Sequence, residues 1–211
     1  MTVMNADTVV LAEAGPGEEE LAARLIYDTG SWVFDCVYNR DFALYMKIGA
    51  ALWQSEGGAF SHVHAKAALH DGNLAGLALG FPQSLYDQEF GTGMIAMAEM
   101  ATPELLAHLP SVAGHFPWLF PVVPEDAWYL LFLSAHPEAR GRGIGEKLLL
   151  DCYERAREAG CASLHLDVAS VNPAVRFYER MGLERLAETS VPKIAASHGV
   201  PSHFRMVKHL V

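Results

Sequence analysis

The chain has 211 residues, enough for one domain with a sizeable core, and 51% hydrophobic against 19% charged residues argues against disorder. A net charge of −10 argues against the basic face that a nucleic-acid partner requires. Residues 1–10 carry no basic head or long apolar core, and no apolar run approaches spanning length, so the expectation is a soluble cytoplasmic protein without a membrane partner.

In chain order, residues 8–12 form a short β-branched run that predicts a first strand. Gly15-Pro16-Gly17 breaks it. Glu18, Glu19 and Glu20 then begin a helix, acids in the first turn suiting the positive end of its dipole. Leu21, Leu25 and Ile26 form its buried stripe, and Gly30 ends it. A second helix is predicted over 41–53, with Leu44, Ile48 and Leu52 four apart on one face and Gly57-Gly58 closing it. Residues 64–70 and 74–81 are strand-like runs joined by Asp71-Gly72-Asn73, a hairpin signal.

From 82 to 126 the composition changes: Met94, Met97 and Met100, several prolines, and Phe116, Trp118 and Phe120 gather there. Residues 84–86 and 103–109 each begin a helix, the latter with Thr102 as cap and Pro103 in its first turn. So long a connection serves as a lid or binding loop, or it covers an exposed edge of the core; both readings stay open.

The run 128–135 is apolar on both faces, as in a central strand covered by helices. A helix over 146–159 carries Leu149, Cys152, Tyr153, Ala156 and Ala159 inward and Glu154, Arg155 and Glu158 toward water, and Gly160 terminates it. A strand over 163–168 and a helix over 172–181, ended by Gly182, follow. An antiparallel pair, 183–190 and 204–211, closes the sheet around a loose loop at 191–202. Cys36, Cys152 and Cys161 have no metal-ligand spacing, and a reduced compartment accounts for them most simply. His62-x-His64 on an extended segment would turn both rings the same way, but no third ligand accompanies them, so no metal is assigned.

Between the central strand and its helix stands Arg140-Gly141-Arg142-Gly143-Ile144-Gly145. Glycines without Cβ atoms let backbone N–H groups close on an anion, and the helix start adds unpaired donors. Two arginines supply charge-assisted contacts to phosphate oxygens. An ordinary strand-to-helix connection would use the same glycines. The pattern is no P-loop, since Glu146, Lys147 and Leu148 follow it, and Glu146 stands where a dinucleotide fingerprint has its third glycine.

The turn resembles the acetyl-CoA-binding signature of the GCN5-related N-acetyltransferases, Arg/Gln-x-x-Gly-x-Gly/Ala, as Arg140-x-x-Gly143-x-Gly145 after Ala135-His136-Pro137-Glu138. Downstream, Asn172-Pro173-Ala174 and Phe177-Tyr178-Glu179-Arg180-Met181-Gly182-Leu183 resemble the second signature of that family. The resemblance implies an α/β fold, a mixed, mostly antiparallel twisted sheet flanked by helices. It implies a single domain over 1–211, with 82–127 inserted between the third and fourth strands as part of the acceptor site. The implied function is acetyl-CoA-dependent N-acetylation of a primary amine on a small molecule or peptide; a homodimer is compatible with it.

Site residues follow from the resemblance. Arg140, Gly141, Arg142, Gly143, Ile144 and Gly145 would hold the coenzyme A diphosphate. Backbone groups near Leu133 and Ala135 would pair with the pantetheine arm, where adjacent strands splay in that family. Tyr178 would protonate the departing thiolate, a phenol near ~10 facing a thiol of about 8.5; otherwise it is a core tyrosine. Val171 holds the position expected for Asn, and Asn172, one residue late, either reaches the pantetheine arm or caps its helix. No general base is assigned: 128–134 contains no carboxylate, and Glu99, His115, Glu125, Asp126 and His136 are the remaining candidates. The missing carboxylate and shifted Asn172 favour an alternative, a non-catalytic acyl-CoA-binding sensor or interaction module.

Overall fold

The computed structural model describes residues 9–210. Strands β1 (Val9–Glu13), β2 (Ala65–His70), β3 (Asn73–Pro82), β4 (Ala127–Ala135), β5 (Ser163–Ala169), β6 (Glu184–Thr189) and β7 (His203–His209) form one sheet. Their order is β1-β2-β3-β4-β5-β7-β6, and every neighbouring pair is antiparallel except β4 and β5. This is the mixed, mostly antiparallel α/β sheet expected. Thr8 and Val211, included in the predicted first and last strands, lie outside the described residues. The β2–β3 hairpin turns on Asp71 and Gly72, with φ of 51° and 79°, between the paired residues His70 and Asn73. Positive φ at both central positions gives the turn a twist that matches the strands.

Helix α1 (Glu19–Tyr27) forms as expected and buries Leu25 and Ile26. A short helix unforeseen in the sequence, α2 (Ser31–Val37), follows Gly30 directly. In α3 (Phe42–Gln54) the Asp41 carboxylate accepts from Leu44 N at 2.9 Å, satisfying one of the helix's first amides, while Ile48 and Leu52 are buried. Residues 82–126 hold more helix than predicted. A 3₁₀ turn at Gln83–Leu85 leads into the fifteen-residue α4 (Tyr86–Met100), followed by α5 (Pro103–His108) and α6 (Phe116–Leu119). Thr102 caps α5, its hydroxyl accepting from Leu105 N at 3.2 Å.

Helix α7 (Ile144–Glu158) starts two residues before the predicted 146 and packs on one face of the sheet. Leu149, Cys152, Tyr153 and Ala156 are its buried stripe, but Ala159 is exposed. Arg155 corrects the prediction too: its guanidinium lies 5.1 Å from the Trp128 ring centre instead of facing open water. Helix α8 (Ala174–Arg180) is shorter than the predicted 172–181. The expected loop at 191–202 contains α9 (Pro192–His198), ended by Gly199 at φ 71°. Ile194, 1% exposed, docks α9 against Cys36, Val112 and Leu119. Burying such a side chain contributes about 1.5–3 kcal/mol, enough to hold a seven-residue helix that would be marginal alone.

Two main cores result. One lies between the sheet and α7 with α8; the other lies on the opposite face beneath α1, α2, α3, α4 and α5. Among the described residues no helix is long and apolar enough to cross a membrane.

Candidate active site

β4 and β5 pair only from Ala127–Ser163 to Tyr129–His165. Beyond that last pair, β4 runs on to Ala135 bonded to β3 alone, and β5 runs on to Ala169 bonded to β7 alone. The facing edges from Leu130 and Leu166 onward therefore carry backbone donors and acceptors that the sheet does not use. The splay implied for Leu133 and Ala135 is present, and both residues lie on the parted stretch of β4.

β4 also bulges there. Phe132 opposes Leu79 and Leu130 opposes Gly80, leaving Leu131 as the extra residue. Trp128, Leu130, Leu133 and Ala135 consequently pack toward α7, whereas Leu131 and Phe132 both join the core on the other face. A Cβ on Gly80 would sit 2.7 Å from both Trp128 Nε1 and Tyr129 O, so the close approach of β3 to the bulge needs glycine there.

The parted edge leads into the glycine turn. Gly141 and Gly143 have φ of 74° and 80°, a left-handed conformation that costs most L residues about 1–2 kcal/mol. Gly143 is the N-cap of α7, and Lys147 N donates to Gly143 O at 3.0 Å as the first helical bond. The amides of Ile144, Gly145 and Glu146 precede that bond and have no intrahelical acceptor. Ile144 anchors the turn: it is 2% exposed, and a Cβ on Gly76 would meet its Cγ2 at 2.9 Å. Gly145 makes room for the Phe177 ring of α8, 3.5 Å from where its Cβ would be. Arg140 Nε donates to Ala135 O at 3.2 Å, tying the turn to the end of β4. Arg140 is exposed and Arg142 half-buried.

Tyr178, on α8, is 7% exposed and packs in the α7 core. Burial raises its pKa, with smaller contributions from Cys152 and Tyr153, so the phenol stays protonated at neutral pH. No protein group engages its hydroxyl among the described residues. Of the two readings of Asn172, the capping one is seen: its Oδ1 accepts from Ala174 N at 2.9 Å. Its Nδ2 donates to Thr29 O at 3.3 Å, which holds the α1–α2 connection against the end of β5.

The candidate bases are scattered. Glu125 and Asp126 precede the first residue of β4, and at ~3.3 Å per residue they stand about 20 Å from Phe132. Glu99 is exposed on α4. The sequence reading missed two carboxylates near the sheet. Asp167 of β5 takes two hydrogen bonds from Arg205 at 2.8 and 2.7 Å and one from the Tyr129 hydroxyl at 2.7 Å. Glu89 of α4 accepts from Gly58 N at 2.8 Å and pairs with His64 Nε2 at 2.9 Å. Burial opposes the charge on Glu89, but the bonds from His64 and Gly58 outweigh it and hold the carboxyl below its usual range. Only their partners, far off in sequence, single these residues out. His62 and His64 form a 3₁₀ turn, not an extended segment, and His62 Nδ1 contacts Trp53 O at 2.9 Å, so the two rings do not converge. No metal-holding cluster occurs among the described residues.

Comparison with known proteins agrees with this geometry. The profile described as acetyltransferase (GNAT) family matches residues 32–183, well over half of the chain. The streptothricin acetyltransferase of Streptomyces lavendulae is 38% identical over 68 residues, 30% of this chain and 36% of that protein. The match thus spans about a third of that relative's length. An N-acetyltransferase from Staphylococcus aureus Mu50 is similar in fold, with TM-score 0.72 over 94% of this chain and 100% of that one at 15% identity. A second acetyltransferase structure gives 0.66 over 96% and 100% at 19% identity. By the extent of the profile match, the chain belongs to the acetyltransferase (GNAT) family.

Proposed function

We propose that the chain transfers an acetyl group from acetyl-CoA to a primary amine of a small molecule or peptide. The observation that carries this reading is the early parting of β4 and β5 beside a glycine-lined helix start. An unpaired strand edge and a left-handed glycine turn fit a ligand with an amide-bearing arm and a diphosphate. Acetyl-CoA, when bound, supplies the activated thioester. In this reading the amides at Gly143, Ile144, Gly145 and Glu146 take the diphosphate, and Gly141 lets the chain turn into them. Arg140 and Arg142 add charge, and backbone groups at Leu133 and Ala135 orient the arm.

Tyr178 serves as the acid. Its buried neutral phenol keeps a proton to donate and spends its hydroxyl on no internal partner among the described residues. Asn172 acts as a positioning residue, since both ends of its amide are engaged within the chain. Residues 82–127 form part of the acceptor side, because Tyr86 and Val123 pack with Tyr129 and Leu131 on the face of β4 opposite α7. The family relationship supports an acetyltransferase, and the small-molecule or peptide acceptor and the cytoplasmic location are part of the proposal.

The test is direct. The purified chain is incubated with acetyl-CoA and a panel of amines, and free thiol release is followed. Turnover on an amine above the rate of hydrolysis supports transfer. Two observations favour a second reading, an acyl-CoA sensor: 128–134 bears no carboxylate, and Asn172 is occupied as a cap. Tight coenzyme A binding with no turnover on any amine would select that reading, and absence of both would refute the two together.

A further inference from the structure

Where the backbone ladder between β4 and β5 ends, a side-chain bridge takes its place. Leu166 and Val168 pack toward α7, so Asp167 between them faces the other way, as Tyr129 does. The Tyr129 hydroxyl donates to Asp167 Oδ2 at 2.7 Å. It thereby reaches from the last paired residue of β4 to a residue beyond the last paired residue of β5. Arg205, the β7 partner of Asp167, grips the same carboxylate, with Nε on Oδ1 at 2.8 Å and Nη2 on Oδ2 at 2.7 Å. Nη2 also donates to Pro121 O at 2.5 Å, in the segment that returns from residues 82–126 to β4. All three side chains are buried. Three bonds occupy the two oxygens of Asp167, so its carboxylate serves as a hub between strands and not as a proton acceptor.

We propose that Tyr129, acting through Asp167, fixes the width of the gap between β4 and β5 and so positions the edges that take the pantetheine arm. This inference rests on the acetyl-CoA reading above. Backbone groups on two parted edges can meet one arm only if their separation is held, and beyond Tyr129 no ladder holds it. A hydrogen bond to a buried charge is short and directional, and the low dielectric around it strengthens it. Apolar contacts at the same place would fill the space without setting one distance, because they have no preferred direction. The Arg205–Pro121 bond gives the gap and the segment before β4 a shared point of reference.

The experiment is a calorimetric titration of the full chain with coenzyme A and with 3′-phospho-ADP, which carries the diphosphate but lacks the arm. Tyr129→Phe removes the bridge while the ring and the Arg205–Asp167 pair remain. It should weaken coenzyme A about tenfold or more and leave 3′-phospho-ADP unchanged. Arg205→Leu combined with Asp167→Leu removes the bridge a second way, apolar side chains replacing the pair so that the fold is kept. It should bind coenzyme A as weakly as Tyr129→Phe, which recovered stability alone would not produce. Tyr45→Phe loses a buried hydroxyl bond elsewhere, to Ala23 O at 2.8 Å, and should change neither affinity. Melting curves of each variant confirm that it folds. Unchanged coenzyme A affinity in Tyr129→Phe or in the double variant, or equal weakening of both ligands, would overturn the bridge alone. A parent chain that binds neither ligand would overturn the acetyl-CoA reading and the bridge with it.

Discussion

Tyr129 and His165 are the last partners that β4 and β5 share, and the strand groups proposed to orient the pantetheine arm lie beyond them. The same two side chains border the Asp167–Arg205 pair, so the point where the strands part is also where buried charge is concentrated. The Tyr129 hydroxyl donates to Asp167 at 2.7 Å, and Arg205 lies 5.6 Å from the Tyr129 ring centre.

Arg205→Leu should be strongly destabilising. It would leave the Asp167 carboxylate, 2% exposed, without its cation. Breaking such a pair costs roughly 3–5 kcal/mol. At ~2–4 °C per kcal/mol for a chain of this size, the melting temperature should fall by about 6–20 °C. The double variant Arg205→Leu, Asp167→Leu should recover much of that loss. Thermal unfolding of both checks it, and a double variant no better than the single one would contradict the argument.

His165 should make the fold acid-sensitive. Burial, then the nearby Arg205 charge, lowers its pKa to about 4 from 6.5. Between those values the unfolded chain binds the proton and the folded chain does not, so stability present above pH 6.5 is lost as pH falls toward 4. The full effect is on the order of 3 kcal/mol. His165→Leu removes this dependence, and the difference between melting temperatures at pH 7 and pH 5 should be smaller in the variant than in the parent.

Gly80→Ala should test the packing at the bulge. The added methyl meets Trp128 Nε1 and backbone at Tyr129, each at 2.7 Å, and the backbone oxygen has little freedom to move. A loss of about 1–3 kcal/mol is expected by chemical denaturation. A variant as stable as the parent would mean that β3 and β4 can separate here at no cost.

Elements with local signals were readable. The spacing of Leu44, Ile48 and Leu52 marked α3, and Asp71-Gly72 marked the hairpin. The start of α4 was read at 84–86, but its fifteen-residue length was hidden because Gly91 and Gly93 lower its propensity and no side chain caps it. Gly93 lies against the loop at Gly58 and Ala59, and the tight position of that contact is Gly58, whose Cβ would come 3.1 Å from Gly93 N. The bulge at Leu131 and the parting of β4 from β5 are relations between strands, and neither leaves a mark in the spacing of one strand. At the site, the glycine turn was legible because positive φ selects glycine. Asn172 was ambiguous because cap and ligand use the same amide, and its partner Thr29 lies 143 residues away.

Tyr178→Phe should separate chemistry from folding. Losing a general acid typically costs ~10²–10⁴ in turnover. Since the hydroxyl has no internal partner among the described residues, stability should change by less than about 1 kcal/mol. Steady-state kinetics with the best amine should show kcat reduced and the KM for acetyl-CoA nearly unchanged. An unaltered kcat would move the acid elsewhere.

The central claim is that the amides at the start of α7 hold the diphosphate of coenzyme A, and a calorimetric titration of coenzyme A into the parent and Gly143→Glu chains tests it most directly. Glutamate there would force a side chain into a left-handed position at φ 80° and set a carboxylate among the donors. Saturable binding to the parent, weakened at least ~100-fold or about 2.7 kcal/mol in the variant, is the predicted result. Equal affinity in the two chains, or no heat with the parent, would contradict it.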